Sequence, residues 1–217
     1  MEEKTEFKCS YCGVQACDND QNNKHPDYCP MPVSKTELDQ ARQIYGSNET
    51  VKSIFSASAK TEAEGYCKWT RIEEIINFAK HLDVDTIGIA HCIGLRKEAK
   101  AAHQIFKAAG FNVHSVCCKV GNINKEDLGL SDEDKVIPED YESACNPIGQ
   151  ALVLGKAGCQ LNVLVGLCVG HDSLFFMHSK VPTTVLVAKD RVLGHNPVAA
   201  LYTSDSYYER LKKGKKE

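Results

Sequence analysis

Cysteine is the residue type from which chemistry in this chain has to start. There are eleven among 217 residues, and most of them fall into two groups. Four lie in a short polar stretch near the N-terminus: Cys9, Cys12, Cys17 and Cys29, spaced C-x2-C-x4-C-x11-C. A Cys-x-x-Cys knuckle presents two thiolates to one metal, and the later pair can complete a four-sulfur shell. The surrounding segment, 7–32, is rich in turn residues and has no helical or strand period. It cannot order itself by burying apolar surface, so a metal would supply its folding energy. The spacing matches neither a paired-knuckle zinc ribbon nor a standard ferredoxin run, although Pro30 follows Cys29 as in bacterial ferredoxin motifs. His25 is a substitute ligand on this reading; a solvated loop histidine is the simpler one.

The second group, Cys92, Cys117, Cys118, Cys145 and Cys168, is scattered along the rest of the chain, and the elements that carry it explain why it matters. Leu161–Leu167 is a nearly continuous apolar run, the pattern of a strand buried on both faces. Thr86–His91, Asn112–Cys117 and Thr183–Ala188 read as three further strands. Between them, Arg96–Ala109 has a helical apolar face and stops at Gly110, while Asn146-Pro147 caps and opens a helix ending before Gly158. Asp172 reads as the N-cap of a helix over Ser173–His178, and His195-Asn196-Pro197 begins another. The first two strands with their helix form a βαβ unit with a right-handed crossover.

This alternation predicts an α/β fold: a Rossmann-like three-layer domain with a mostly parallel sheet of about four strands. In a parallel sheet, strand ends and following helix starts share one edge, where function concentrates. Cys92, Cys117 or Cys118, and Cys168 follow strands, and Cys145 and His195 precede helix starts. A second sulfur-rich site at the carboxyl rim is therefore expected, with His171 and His195 as further ligands or acid–base groups. Adjacent Cys117 and Cys118 point to opposite faces, so one of the two takes part. An isolated buried cysteine elsewhere is more simply a small hydrophobe.

Upstream, helices are expected from the capping boxes Ser34-Lys-Thr-Glu37 and Thr70-Arg-Ile-Glu73, with a further helix over about 49–63. Cys67 and Trp69 precede the third. The domain reading is 1–33 as a cysteine-rich metal-binding module, 34–84 as helices packed on the core, and 85–217 as the α/β core. The net charge of −3 gives no reason to expect nucleic acid or anionic membrane, and no stretch has the ~18–20 apolar residues of a membrane span. The acidic start, Met1-Glu-Glu-Lys-Thr-Glu, lacks the apolar core of a signal peptide, so a cytoplasmic protein is expected. In a reducing compartment many thiols point to metal or redox chemistry rather than disulfides. The basic end, Lys212–Lys216, reads as a solvated tail. No GxGxxG, Walker A or G-x-S-x-G sequence is present.

The N-terminal cysteine pattern, IAHCIGL at Ile89–Leu95, CNPIGQA at Cys145–Ala151, GLCVGHDS at Gly166–Ser173 and GHNPVAALY at Gly194–Tyr202 together resemble an uncharacterised microbial cysteine-rich family. That family carries the label of a domain of unknown function or predicted metal-binding protein. The resemblance spans nearly the whole chain and names no reaction; the anaerobic prokaryotes it implies as sources favour iron–sulfur over zinc. The functional expectation is a metal-binding protein with a 4Fe-4S iron–sulfur cofactor, using a redox partner or a small-molecule substrate. Structural zinc with a thiol-active pocket, or a non-enzymatic metal carrier or sensor, are the alternatives. A homodimer is the default assembly.

Overall fold

In the computed structural model of the chain, residues 6–18 and 24–213 are described. Residues 1–5, 19–23 and 214–217 lie outside that description, so the expected N-terminal start, cysteine-rich module and basic tail are seen only in part. The chain divides into two compact units, Met1–Ala59 and Lys60–Glu217.

In the first unit, α1 spans Lys35–Ser47 and α2 begins at Glu49, running on to Gly65. The expected capping box at Ser34 does not form. Ser34 has φ −116° and ψ 31° and makes no side-chain cap bond, so its Leu38 N–H···O contact is purely backbone. Tyr45 and Phe55 pack ring on ring with centroids 5.0 Å apart, a tilted aromatic contact of the favourable kind.

The second unit holds the sheet. Its elements are α3 (Arg71–His81), β1 (Thr86–His91), α4 (Arg96–Ala108), β2 (Asn112–Cys117), α5 (Pro147–Lys156), β3 (Leu161–Val165), α6 (His171–His178), β4 (Thr183–Val187) and α7 (Val198–Tyr202). Here the Thr70/Glu73 capping box is complete, and Asn146 caps α5 by accepting the Gly149 N–H at 2.8 Å. The four strands are all parallel in the order β2-β1-β3-β4. The register is continuous where it matters: His91 at the end of β1 stands beside Cys117 on one side and Val165 on the other. Central β3 is buried at every residue, whereas edge strand β2 is not. Among the described residues no helix is long and apolar enough to cross a membrane.

Strand order reverses between β1 and β3, which sends the crossovers to opposite faces. A Cβ on Gly88 of β1 would meet Asn162 Oδ1 at 2.3 Å and Cys159 Sγ and Leu154 Cδ2 at 3.1 Å each, so this face carries α5. α6 packs beside α5. His91, an odd number of positions along β1, turns to the other face with α4. Leu161, Val163 and Val165 with Ile87, Ile89, Phe106, Leu154 and Phe175 form the core between these layers.

The expected boundaries of β3, α6 and α7 shift, each for a local reason. β3 ends at Val165 rather than Leu167, because Gly166 has φ +67° and turns the chain. Asp172 is not an N-cap: Gly170, at φ +84°, precedes α6, and Asp172 sits inside the first turn. α7 likewise starts late, at Val198, with His195 held at φ +66° in the preceding turn.

The Gly166 turn ties the loops after β1 and β3 together. Cys92 N–H donates to Val165 O at 3.1 Å and Gly166 N–H to Val187 O at 2.8 Å, while a Cβ on Gly166 would stand 2.5 Å from Leu95. Gly166→Ala is therefore expected to lower stability by about 2–4 kcal/mol, combining overpacking with a left-handed backbone. A urea melt checks it; a loss below about 0.5 kcal/mol would mean the two loops part without cost.

Candidate thiol site at the carboxyl rim

Cys92, Cys118 and Cys145 arrive at the rim by three separate routes. Cys92 leaves β1 and is buried at 7% exposure. Cys118 leaves β2, and its N–H donates to His91 O at 2.8 Å, which continues the β1–β2 ladder one residue further. Cys145 comes back from the polar excursion of residues 121–143. That excursion is closed on itself by an antiparallel bridge between Asn124 and Ser143, by a Lys125–Glu142 ion pair at 2.9 Å and by ion pairs from Lys135 to Glu126 and Asp132. Asn146 N–H then donates to Cys118 O at 2.7 Å. The result is a Cys145 Sγ–Cys118 Sγ separation of 3.8 Å.

Gln150 braces this corner from α5. Its Nε2 donates to Val116 O at 2.7 Å and to His91 O at 3.2 Å, so one fully buried side chain spans the ends of β1 and β2. Its Oε1 is left buried without a partner, a costly arrangement that a donor at the site would relieve.

Each of the three sulfurs also faces a donor. Ile93 N–H donates to Cys118 Sγ at 3.3 Å. The Cys118 thiol, then the Gly94 N–H and Lys189, hold the Cys92 thiol below the ordinary range against the opposing effect of burial. The Cys118 thiol, then the charges of Lys119 and His171, do the same for Cys145. Cys118, between two sulfurs and buried, is pushed upward. It has one S–H and can donate to one neighbour at a time, so the trio titrates as a unit: its first proton leaves readily and its last is retained.

The remaining candidates are placed less centrally. Cys168 lies in the loop between β3 and α6, where Arg191 Nη2 donates to its Sγ at 3.0 Å. His171 opens α6 and reaches the site through its charge on Cys145. His195 Nδ1 accepts the Asp190 N–H at 3.2 Å and so helps close its own turn. Cys117 takes the face opposite Cys118, as strand alternation demands. Cys159 packs against Gly88 and Leu154, its thiol raised by burial, as expected of an inert packing cysteine. Cys67 is exposed in the turn after α2.

Of the N-terminal four, Cys9 and Cys12 share a tight turn in which Cys12 N–H donates to Cys9 O at 3.1 Å. Cys29 Sγ lies 3.8 Å from His25 Nδ1. Among the described residues, at the rim as at the N-terminus, no group of three or more His, Cys, Asp or Glu side chains stands in an arrangement that could hold a metal ion.

Lys119, Lys189, Arg191 and Gln150 were not singled out by motif. Lys119 follows Cys118 directly, and Lys189 and Arg191 follow β4, so the shared edge of the parallel sheet brings these cations to the sulfurs although their residue type gives no signal.

A thiol held below its ordinary range keeps its thiolate to lower pH. In metal-free protein, alkylation at Cys145 should therefore fall far less between pH 8.5 and 6 than the roughly tenfold per unit of an ordinary thiol. Cys118→Ala should restore the steep dependence. Mass spectrometry of the alkylated peptide reads both, and an ordinary profile in the wild-type chain would contradict the arrangement.

A model of the family described as "Protein of unknown function (DUF1847)" matches residues 29–186. An uncharacterised protein of Methanocaldococcus jannaschii, MJ0455, is 42% identical over 209 residues, covering 96% of this chain and all of the relative. Among solved structures, the crystal structure of Dph2 from Pyrococcus horikoshii with a 4Fe-4S cluster aligns at a TM-score of 0.34 and 19% identity. The alignment covers 67% of this chain, which spans 33% of that one.

Proposed function

We propose that this chain, which belongs to the DUF1847 family, is a metal–thiolate protein whose working centre is held at the carboxyl rim by Cys92, Cys118 and Cys145. The observation that carries this reading is the meeting of three thiols from three chain segments, with Cys118 and Cys145 at 3.8 Å and cations behind the outer two. Thiolate is the ligand form, and the site favours it before any metal arrives. Three protein sulfurs leave one coordination position for a substrate or a fourth ligand. Such an open position is what separates a reactive site from a closed structural one. Cys168, in the loop after β3, and His171, at the start of α6, are the proposed sources of that ligand or a proton.

An iron–sulfur cluster is the first reading of the metal. The Ile93 and Gly94 N–H groups directed at Cys118 and Cys92 are the type of donor that sets cluster potentials. A single zinc ion is the second reading, favoured by one distance. Two thiolates bonded at about 2.3 Å to one tetrahedral ion stand about 3.8 Å apart, the separation found for Cys118 and Cys145. Cys9, Cys12, Cys17 and Cys29 are proposed as a second, four-sulfur site that orders the N-terminal segment. A redox protein or small-molecule partner and a cytoplasmic location fit this chemistry.

Anaerobic purification with iron, zinc and sulfide counts tests the reading. A broad band near ~400 nm with about four irons per occupied site indicates clusters, and about one zinc per site with no colour indicates the mononuclear case. Cys118→Ser should lose the rim metal while retaining the N-terminal equivalent, and Cys9→Ser the reverse. Metal content unchanged in Cys118→Ser would remove the rim from the account.

A further inference from the structure

On the sheet face opposite the thiols lies a cavity of about 470 Å³, lined by His91, Arg96, Lys100, His103, Gln104 and Ser115, with Ala99 at its apolar floor. Arg96, Ala99, Lys100, His103 and Gln104 form one stripe of α4, spaced i, i+3, i+4, i+7 and i+8. Ser115 comes from the edge strand β2, and His91 from the last position of β1. The volume is that of a small-molecule site.

The lining is unbalanced in charge. Two permanent cations, Arg96 and Lys100, face the cavity, and among the described residues no carboxylate lines it. Among the described residues neither cation has an ion-pair or hydrogen-bond partner, and the side chains of His103, Gln104 and Ser115 are equally uncommitted.

His91 is the built part of the site. It is 8% exposed, and its Nδ1 lies 3.0 Å from Cys92 O. A carbonyl only accepts, so Nδ1 carries the proton and the other ring nitrogen is the one left for a ligand. In neutral imidazole that nitrogen accepts a hydroxyl; in the charged ring it donates to an oxyanion.

We propose that this cavity binds the phosphate group of a small phosphorylated metabolite. Arg96 forks onto two phosphate oxygens, Lys100 supplies a second charge one turn later, Ser115 and Gln104 donate, and His91 meets a third oxygen in either protonation state. A tetrahedral group with several oxygens satisfies donors converging from α4, β1 and β2 together. A carboxylate has only two oxygens to offer. The site stands apart from the proposed rim centre, to which it is joined through the His91–Cys92 backbone and the His91 Nδ1 bond to Cys92 O.

Titration of inorganic phosphate into the full-length chain, followed through amide and histidine-ring NMR signals, tests this. The expected result is saturable shifts at His91, Arg96–Gln104 and Ser115, with affinity weakened at least about tenfold in the double variant Arg96→Gln/Lys100→Gln. Both cations are exposed, so that variant leaves the core untouched, and an unchanged amide spectrum outside the cavity verifies it. The same shifts should persist in Cys118→Ser, which separates this site from the fate of the rim reading. Shifts that never saturate, binding retained in the double variant, or saturation by acetate rather than phosphate would each overturn the assignment.

Discussion

The structure depends on the parallel, in-register pairing of β1 with both β2 and β3. Because His91 is level with Cys117 and Val165, all three strands release their chains at one height on one edge. A slip of one residue would turn Cys92 and Cys118 away from each other and exchange the two faces of the sheet. The Gln150 side chain and the Cys118 N–H bond, both to His91 O, hold that corner in register. The bond from Asn146 to Cys118 then fixes where the long excursion must return.

Gathering thiols at one edge brings an electrostatic requirement. Each sulfur that loses its proton adds a negative charge to a partly buried spot, which is unfavourable without compensation. The rim answers with backbone N–H groups from the Cys92–Leu95 turn and with Lys119 and Lys189. A second cationic cluster, on α4, faces a cavity on the opposite side. His91 lies where the two regions adjoin: its backbone carbonyl organises the thiol corner while its ring lines the cavity.

Much of this was legible in the sequence. Thr86–His91 and Asn112–Cys117 carry β-branched residues (Thr86, Ile87 and Ile89; Val113 and Val116), and both strands form with those bounds. The Asn146-Pro147 helix start is encoded in residue types with fixed geometric roles, and it forms as expected. Less legible was anything set by glycine's left-handed freedom. Gly166 and Gly170 end β3 early and displace Asp172 from the cap, because a good capping residue loses to a backbone that has already turned. Ser34 shows the same limit, since a capping-box pattern does not guarantee capping dihedrals. The convergence of Cys92, Cys118 and Cys145 followed from topology alone. The cations could not be separated by residue type from the other solvated lysines and arginines until the strand ends were placed. The α4 stripe was invisible for a related reason: Arg96, Lys100 and His103 read as a solvated helix face until β2 proved to be an edge strand that leaves a cleft beneath them.

Anomalous diffraction from crystals grown without oxygen, collected across the iron and zinc absorption edges, tests the central claim most directly. The account predicts an anomalous peak bonded to the Sγ atoms of Cys92, Cys118 and Cys145, with the edge identifying the element. Anomalous density confined to the N-terminal cysteines, with the rim sulfurs bonded only to one another or to protons, would contradict it.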